Sequence, residues 1–275
     1  MKTKIVKHQK FYIEYYENDV MASNSIGQNK KWEAHILEFV KKYSEKYDIN
    51  NIVDIGANFG YHTLFFSEIV KNKGYIYSFE PQIQNFTLLS NNIKHNKIEN
   101  VIIYNEACSD VNGKVKLPYI KSSEICNMGN FTPTIVDSNS IDGIRSRPLD
   151  SYELPKIDLI KIDVQGYEIN VLMGGLRTIE RDKPVIIIEF EENQMRKTGN
   201  SCFDLATFLR KMNYYIFYLD YYYPSDHVCV HIDKLVEFEN LFSEYICEHN
   251  VMNEINKNIT YGIDRKLMIP YNSNL

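Results

Sequence analysis

The chain has 275 residues, 44% of them hydrophobic and 24% charged, with a formal net charge of −5. This composition excludes a disordered polymer and suits one well-buried domain without requiring two. The acidic balance disfavours a nucleic-acid groove, which needs clustered cations to displace counterions, and no run approaches the ~20 apolar residues of a membrane span.

The first residues lack the apolar core and small-residue cleavage site of a signal peptide, so a cytoplasmic location is expected. "KFYIEYYEND" alternates as a short strand or hairpin arm. From Lys30 to Tyr47, Trp32, Ile36, Leu37, Val40 and Tyr43 recur at helical spacing between lysines and glutamates, the pattern of an amphipathic helix. Residues 1–50 are therefore expected as a hairpin and helix packed on a main domain, 51–275. Asn51 to Ile55 is a strand, and "YHTLFFSEIVKN" a helix with Gly74 as its stop. "YIYSFE" is the next strand. Pro81 stands where a helix can begin, "QNFTLLSNNIKHN" is that helix, and "NVIIYNEAC" the third strand. The alternation indicates parallel strands joined by right-handed crossovers.

Asn112-Gly113 suggests a hairpin turn into "KVKLPYI", opening an insertion at about 112–145. Its polar part, Ser122 to Ile144, is broken by Gly129, Pro133 and Gly143 and reads as an active-site cover or a long loop. "KIDLIKIDVQG" is a strand, "YEINVLMGGLRTIER" a helix and "VIIIEFEE" a strand. A helix around Phe203 to Met212 and the strands "YYIFYL" and "HVCVHI" complete an α/β pattern. The tyrosines of "YLDYYYP" read as a strand end with half-buried phenols rather than a sugar platform. His227 and His231 share one face of a strand, which is not a zinc-ligand arrangement. Five cysteines, Cys108, Cys126, Cys202, Cys229 and Cys247, without a CxxC, read as reduced thiols.

The stretch "NIVDIGANFGYHTLFF" raises the question of a ligand, since glycines after a buried strand let backbone approach one. Asp54, Gly56 and Gly60 match neither the GxGxxG of a dinucleotide fold nor the GxxxxGK[ST] of a phosphate loop. Glu80 ends the next strand, where a carboxylate can accept bonds from both hydroxyls of a ribose. A glycine turn, an acid within it and a ribose-reading acid suit S-adenosylmethionine, which has a nucleoside and a zwitterionic end but no phosphates.

The segments "VDIGANFGYHTLFF", "YSFEPQIQNFTLLSNNI", "NEACSD", "RPLDSY" and "IDLIKIDVQGYEINVLMGG" resemble the FkbM family of S-adenosylmethionine-dependent methyltransferases, in order over roughly Asn18 to Ile232. The resemblance implies a Rossmann-like class I methyltransferase fold: a doubly wound, mostly parallel seven-stranded sheet with its last strand antiparallel. It also implies O-methylation of a hydroxyl on a small molecule or glycan. Asp54, Gly56, Asn58 and Gly60 would line the methionine and ribose, Glu80 would hold the ribose hydroxyls, and Glu106 and Ala107 would border the adenine. Trp32-Glu33 matches a "wE" feature that would cover the cofactor, although Glu33 by itself reads as an ordinary exposed helix residue.

Methyl transfer to a hydroxyl needs alignment, exclusion of water and a proton acceptor. Asp163, ending the fourth strand, is the first choice for that group, and Glu189, ending the next, the second. For Glu168, in the first turn of a helix, capping and catalysis compete evenly. His62 has a suitable pKa but reads as a cofactor contact or surface residue. Asp137, Asp142 and Asp150 offer oxygens suited to magnesium, yet their spacing follows no ligand pattern and no metal ligand is assigned. The alternatives are a catalytically silent cofactor-binding protein of the same fold, and RNA or protein methylation.

Overall fold

The computed structural model describes residues 1–70, 74–121, 124–137, 140, 141, 143–219, 224–245 and 247. The chain opens with an antiparallel hairpin of β1 (Thr3–His8) and β2 (Phe11–Tyr16). A short helix α1 (Val20–Asn24) follows, capped by Asp19, whose carboxylate accepts from the Met21 N–H at 3.0 Å. Helix α2 (Ala34–Ser44) buries Ile36, Phe39, Val40 and Tyr43, the stripe expected from their spacing. It starts at Ala34 rather than Lys30, because Glu33 takes a left-handed backbone (φ 42°, ψ 52°) that no helix can contain.

The core then alternates: β3 (Ile52–Ile55), α3 (Tyr61–Ile69), β4 (Ile76–Phe79), α4 (Ile83–His95) and β5 (Val101–Tyr104). An insertion carries β6 (Ala107–Cys108), β7 (Gly113–Lys116), β8 (Thr134–Val136) and β9 (Ile144–Arg147). Next come β10 (Leu159–Ile162), α5 (Glu168–Gly174), α6 (Leu176–Asp182), β11 (Val185–Phe190), α7 (Glu192–Lys197), α8 (Cys202–Lys211), β12 (Tyr214–Tyr218), β13 (Ser225–His231) and α9 (Ile232–Leu241).

The main sheet has seven strands in the order β12-β13-β11-β10-β3-β4-β5. The pairs β11–β10, β10–β3, β3–β4 and β4–β5 are parallel, and β13, the last strand, is antiparallel to both neighbours. Its central strands are covered on both faces, which is why they read as near-continuous apolar runs. Val53, Ile55, Ile160 and Ile162 pack with Leu172, Ile179, Leu205 and Leu209 on one side. Ile52, Leu159, Val185 and Ile187 pack with Phe39, Val40, Phe66 and Phe238 on the other. This is the doubly wound α/β architecture expected. Strand order reverses between β3 and β10, the place where such sheets open a crevice at their carboxyl ends.

Three local expectations are corrected. Helix α4 begins at Ile83, not at Pro81, because the Glu80 carboxylate accepts the Gln82 N–H at 2.8 Å and Gln82 then caps the helix. The expected helix after "DVQG" is two, α5 and α6, divided at Gly175. Gly174, which ends α5, packs against the insertion: a Cβ there would lie 1.9 Å from the Ser109 carbonyl oxygen. Asn112-Gly113 does not close a hairpin, since β9 lies between β6 and β7 in a four-stranded sheet of order β6-β9-β7-β8.

The insertion is tied down over the carboxyl ends of the main strands. Gln84 exchanges two hydrogen bonds with the Ile120 backbone, at 2.8 and 2.9 Å, and Asn85 donates to the Met128 carbonyl at 3.0 Å. Val20 and Cys126 join it to the N-terminal segment by a 3.0 Å backbone bond, and Thr132 donates to Gln194 of α7 at 2.6 Å.

Candidate active site

A cavity of about 600 Å³ lies between the carboxyl ends of the central strands and this cover. Gly56 follows β3 at φ 83°, and a Cβ on it would fall 1.8 Å from the Asp163 carbonyl oxygen. Only glycine lets the ends of β3 and β10 come this close. Asn58, also left-handed at φ 53°, aims its N–H at Glu80 Oε2 over 2.8 Å. The Glu80 carboxylate thus joins the turns after β3 and β4, while its edge lines the cavity. Burial pushes its pKa up to about 7 despite the hydrogen bonds from Gln82 and Asn58.

At the β5 end, Glu106 and Ala107 line the wall. Glu106 is held by Arg145 at 3.4 Å, Arg147 at 3.9 Å and the Tyr152 hydroxyl. At the other end, beyond β10, the Gln165 side-chain amide donates to both Asp163 Oδ1, at 2.9 Å, and Glu189 Oε2, at 3.0 Å. Glu189 is pushed well above the carboxylate range by burial and then by the charges of Asp163, Asp226, Glu168 and Glu33. Sheet register sets Asp226 directly opposite Glu189, and Asp226 Oδ2 meets His35 Nε2 at 2.6 Å.

Beneath this floor lies Lys161, 2% exposed, with its ammonium 3.5 Å from Asp163 Oδ2 and 4.0 Å from Asp54 Oδ1. Burial works against that charge, but Asp163, Asp54, Glu33 and Asp226 outweigh it and hold the lysine pKa above its ordinary value. Asp54 is fully buried; its Oδ2 accepts from the Thr63 hydroxyl at 2.6 Å, and Thr63 meets Ser78 at 2.9 Å.

The Methyltransferase FkbM domain family matches residues 54–216, more than half of the chain. The chain belongs to the FkbM methyltransferase family. The hexuronic acid methyltransferase AglP of Haloferax volcanii is 26% identical over 156 residues, covering 56% of this chain and 61% of that one. The methyltransferase FkbM of Methylobacillus flagellatus KT has a solved structure with 20% identity and a TM-score of 0.49. That likeness covers 67% of this chain and 44% of the other. TYW2 of M. jannaschii, solved in complex with AdoMet, has 17% identity and a TM-score of 0.40, covering 83% and 84% of the two chains. The chain thus spans less than two thirds of the length of AglP and of the M. flagellatus protein.

Within this FkbM chain the expected residues divide into two groups. Gly56, Asn58, Glu80, Glu106, Ala107, Asp163 and Glu189 all border the one cavity. Asp54 and Gly60 do not. Asp54 points into the layer below, towards Lys161, and Gly60 packs on α4, where a Cβ would lie 2.5 Å from Leu89 Cδ1. Glu168 serves as backbone support: its Oε1 accepts from Gly166 at 3.1 Å and Val164 at 3.3 Å, holding the turn that carries Gln165. His62 is buried, not on the surface, and burial with the charges of Lys161 and His35 keeps its imidazole well below the usual histidine range. Asp150 caps α6, accepting from the Thr178 N–H at 2.8 Å and the Arg177 N–H at 2.9 Å. Asp142 lies outside the described residues, as do 220–223 of the tyrosine cluster.

His227 sits between the Phe190 and Tyr218 rings, where burial pushes it down to about 3, and His231 caps α9. No group of three or more His, Cys, Asp or Glu that could hold a metal occurs among the described residues, and no helix among them is long and apolar enough to cross a membrane. No two of the five cysteines are joined by a disulfide.

Lys161 and Gln165 are the residues the sequence reading passed over, whereas Trp32-Glu33, matched there to a feature that would cover the cofactor, lines the cavity. Lys161 had a signal: in "LIKID" it shares a strand face with Asp163, and a lysine inside a buried parallel strand needs a partner. Glu33 read by itself as an ordinary exposed helix residue, because helical periodicity conceals the left-handed backbone it adopts before α2.

Proposed function

We propose that the protein is an S-adenosylmethionine-dependent O-methyltransferase acting on a hydroxyl of a glycan or small molecule. The observation that carries this reading is the pairing, in one cavity, of a glycine-lined turn and buried Glu80 with the carboxylates of Asp163 and Glu189. The wall chemistry fits the cofactor: among the described lining residues there is no lysine or arginine to hold phosphates, whereas carboxylates suit a ribose and a cation. Gly56 and Asn58 would border the methionine and ribose, Glu80 would accept the ribose hydroxyls, and Glu106 and Ala107 would flank the adenine. The cofactor, when bound, supplies an electrophilic methyl carbon on positively charged sulfur.

The remaining work falls to this chain's own groups. Asp163 and Glu189, fixed by the shared Gln165 amide, orient the acceptor hydroxyl, and one of the two carboxylates takes its proton as attack proceeds. Burial and the neighbouring charges raise the pKa of Glu189, so its ionised form is a stronger base than an ordinary glutamate. The insertion, bonded to α4 and α7, keeps bulk water out and presents Asn127, Asn130 and Phe131 to the acceptor. The hexuronic acid methyltransferase among the relatives supports a sugar as that acceptor.

Calorimetry with S-adenosylmethionine and S-adenosylhomocysteine tests the first half of the reading. Binding is expected, and Glu80→Ala should weaken it at least tenfold. Absence of binding near 1 mM, where the free energy is only about −4 kcal/mol, removes it. Mass spectrometry of glycan and metabolite panels, seeking a gain of one methyl group, tests the second half.

A further inference from the structure

Glu33 stands at the cavity wall in a conformation that costs free energy to hold. Left-handed backbone at a residue with a side chain is destabilising by roughly 1 kcal/mol or more, and it persists where the surroundings impose it. Its side chain is held as well: Trp32 Nε1 donates to Glu33 Oε1 at 2.7 Å, while the Trp32 ring packs against Phe59 and Tyr61. The second carboxylate oxygen faces His62 Nε2 at 3.4 Å. That nitrogen is buried without a hydrogen-bond partner, and its ring is held neutral, so it does not balance the Glu33 charge. Lys161 favours the charged form of Glu33, but it is shared with Asp163 at 3.5 Å and Asp54 at 4.0 Å, and burial with the charges of Asp226 and Asp163 outweighs it. Glu33, Asp163 and Glu189 thus line one cavity together with Gly56, and no lysine or arginine stands among its described lining residues.

We propose that Glu33 holds the positively charged sulfonium end of the methyl donor, so that the cavity prefers the charged donor to its neutral thioether product. The inference rests on the cofactor reading above and extends it to donor–product discrimination. S-adenosylmethionine and S-adenosylhomocysteine differ by one methyl group and one positive charge, so a carboxylate at the sulfur separates them while contacts to adenine, ribose and the amino acid do not. After transfer the attraction disappears and the product leaves. Burial and the charges of Asp226 and Asp163 push Glu33 up to about 8, so near neutral pH its carboxyl holds a proton that an arriving cation would displace.

The test is calorimetric titration of the full chain and its Glu33→Gln variant with each ligand separately. Glutamine keeps the shape and can still accept from Trp32 Nε1. The expected result is a loss of about tenfold in affinity for S-adenosylmethionine, with affinity for S-adenosylhomocysteine kept within about twofold, a pattern that misfolding would not produce. Equal losses for both ligands, or no loss for either, overturn the proposal. Failure of the unaltered chain to bind either ligand would instead sink the cofactor reading itself.

A second measurement needs no variant. Titrations near pH 7.5 in two buffers of different ionisation enthalpy report proton release, which should be larger for the charged ligand than for the neutral one. The titratable groups around Glu33 (His62, Asp163, Lys161, Asp226 and Glu189) are common to both titrations, and equal proton release for the two ligands overturns the proposal.

Discussion

Lys161→Met tests the electrostatics beneath the site most directly. The ammonium is 2% exposed, 4.0 Å from Asp54, which is wholly buried, and 3.5 Å from Asp163, which is 27% exposed. Methionine fills similar volume, so packing is largely retained and the loss is electrostatic. Asp163 can turn to water. Asp54 cannot, and is left with the Thr63 hydroxyl. Breaking a buried pair from one side costs about 3–5 kcal/mol, which for a domain of this size lowers Tm by roughly 10 °C. The penalty should shrink at low pH, because Asp54 can escape it by taking up a proton. Removing both charges in Asp54→Asn/Lys161→Met should recover about 2 kcal/mol relative to the sum of the single variants. Urea denaturation of the four proteins without ligand measures this cycle. Additivity within about 0.5 kcal/mol would show that the two groups do not interact and refute the argument.

Three other outcomes follow from the same geometry. Glu80 and Glu168 are buried acids raised from 4.5 to about 7, so the native state holds more protons than the unfolded chain between those values. Their contribution is complete below the unfolded pKa and is lost as pH rises through the folded one, by about 3 kcal/mol each; thermal melts of the ligand-free protein from about pH 5 to pH 8 should fall, and Glu168→Gln should flatten the curve. Gly56→Ala should cost several kcal/mol and abolish cofactor binding, because its Cβ meets the Asp163 carbonyl oxygen at 1.8 Å. Gly199→Ala, equally left-handed at φ 82° but in open space, should cost only about 1 kcal/mol, and similar melting losses in the two would contradict the steric account. Asp163→Asn and Glu189→Gln should each lower turnover by about 10²-fold or more with smaller changes in cofactor affinity; full turnover in both would remove the strand-tip carboxylates from the mechanism.

Much of the architecture could be read directly from the chain. The buried runs "NIVDI", "LIKI" and "VIIIEF" announce central strands because both faces are covered, and α2 announces its inner face through Ile36, Val40 and Tyr43. Positions at strand tips were equally visible, since Glu80, Asp163 and Glu189 each follow an apolar run whose end is marked by a polar residue. The insertion was visible only as a lack of periodicity. Its strands pair as β6-β9-β7-β8 through register, which no local pattern encodes.

The sequence by itself determined the periodicities, the glycine turn and the family motifs, because each is a local property of consecutive residues. Tertiary structure decided which of those residues meet. Asp54 and Lys161 become partners only because β3 and β10 lie side by side in register, and Glu189 faces Asp226 only through the antiparallel last strand. Whether an acid lines the cavity, as Asp163 does, or lies buried below it, as Asp54 does, depends on where its strand stops relative to its neighbours. Charge, unlike periodicity, acts through space, and its consequences appear once distances are known.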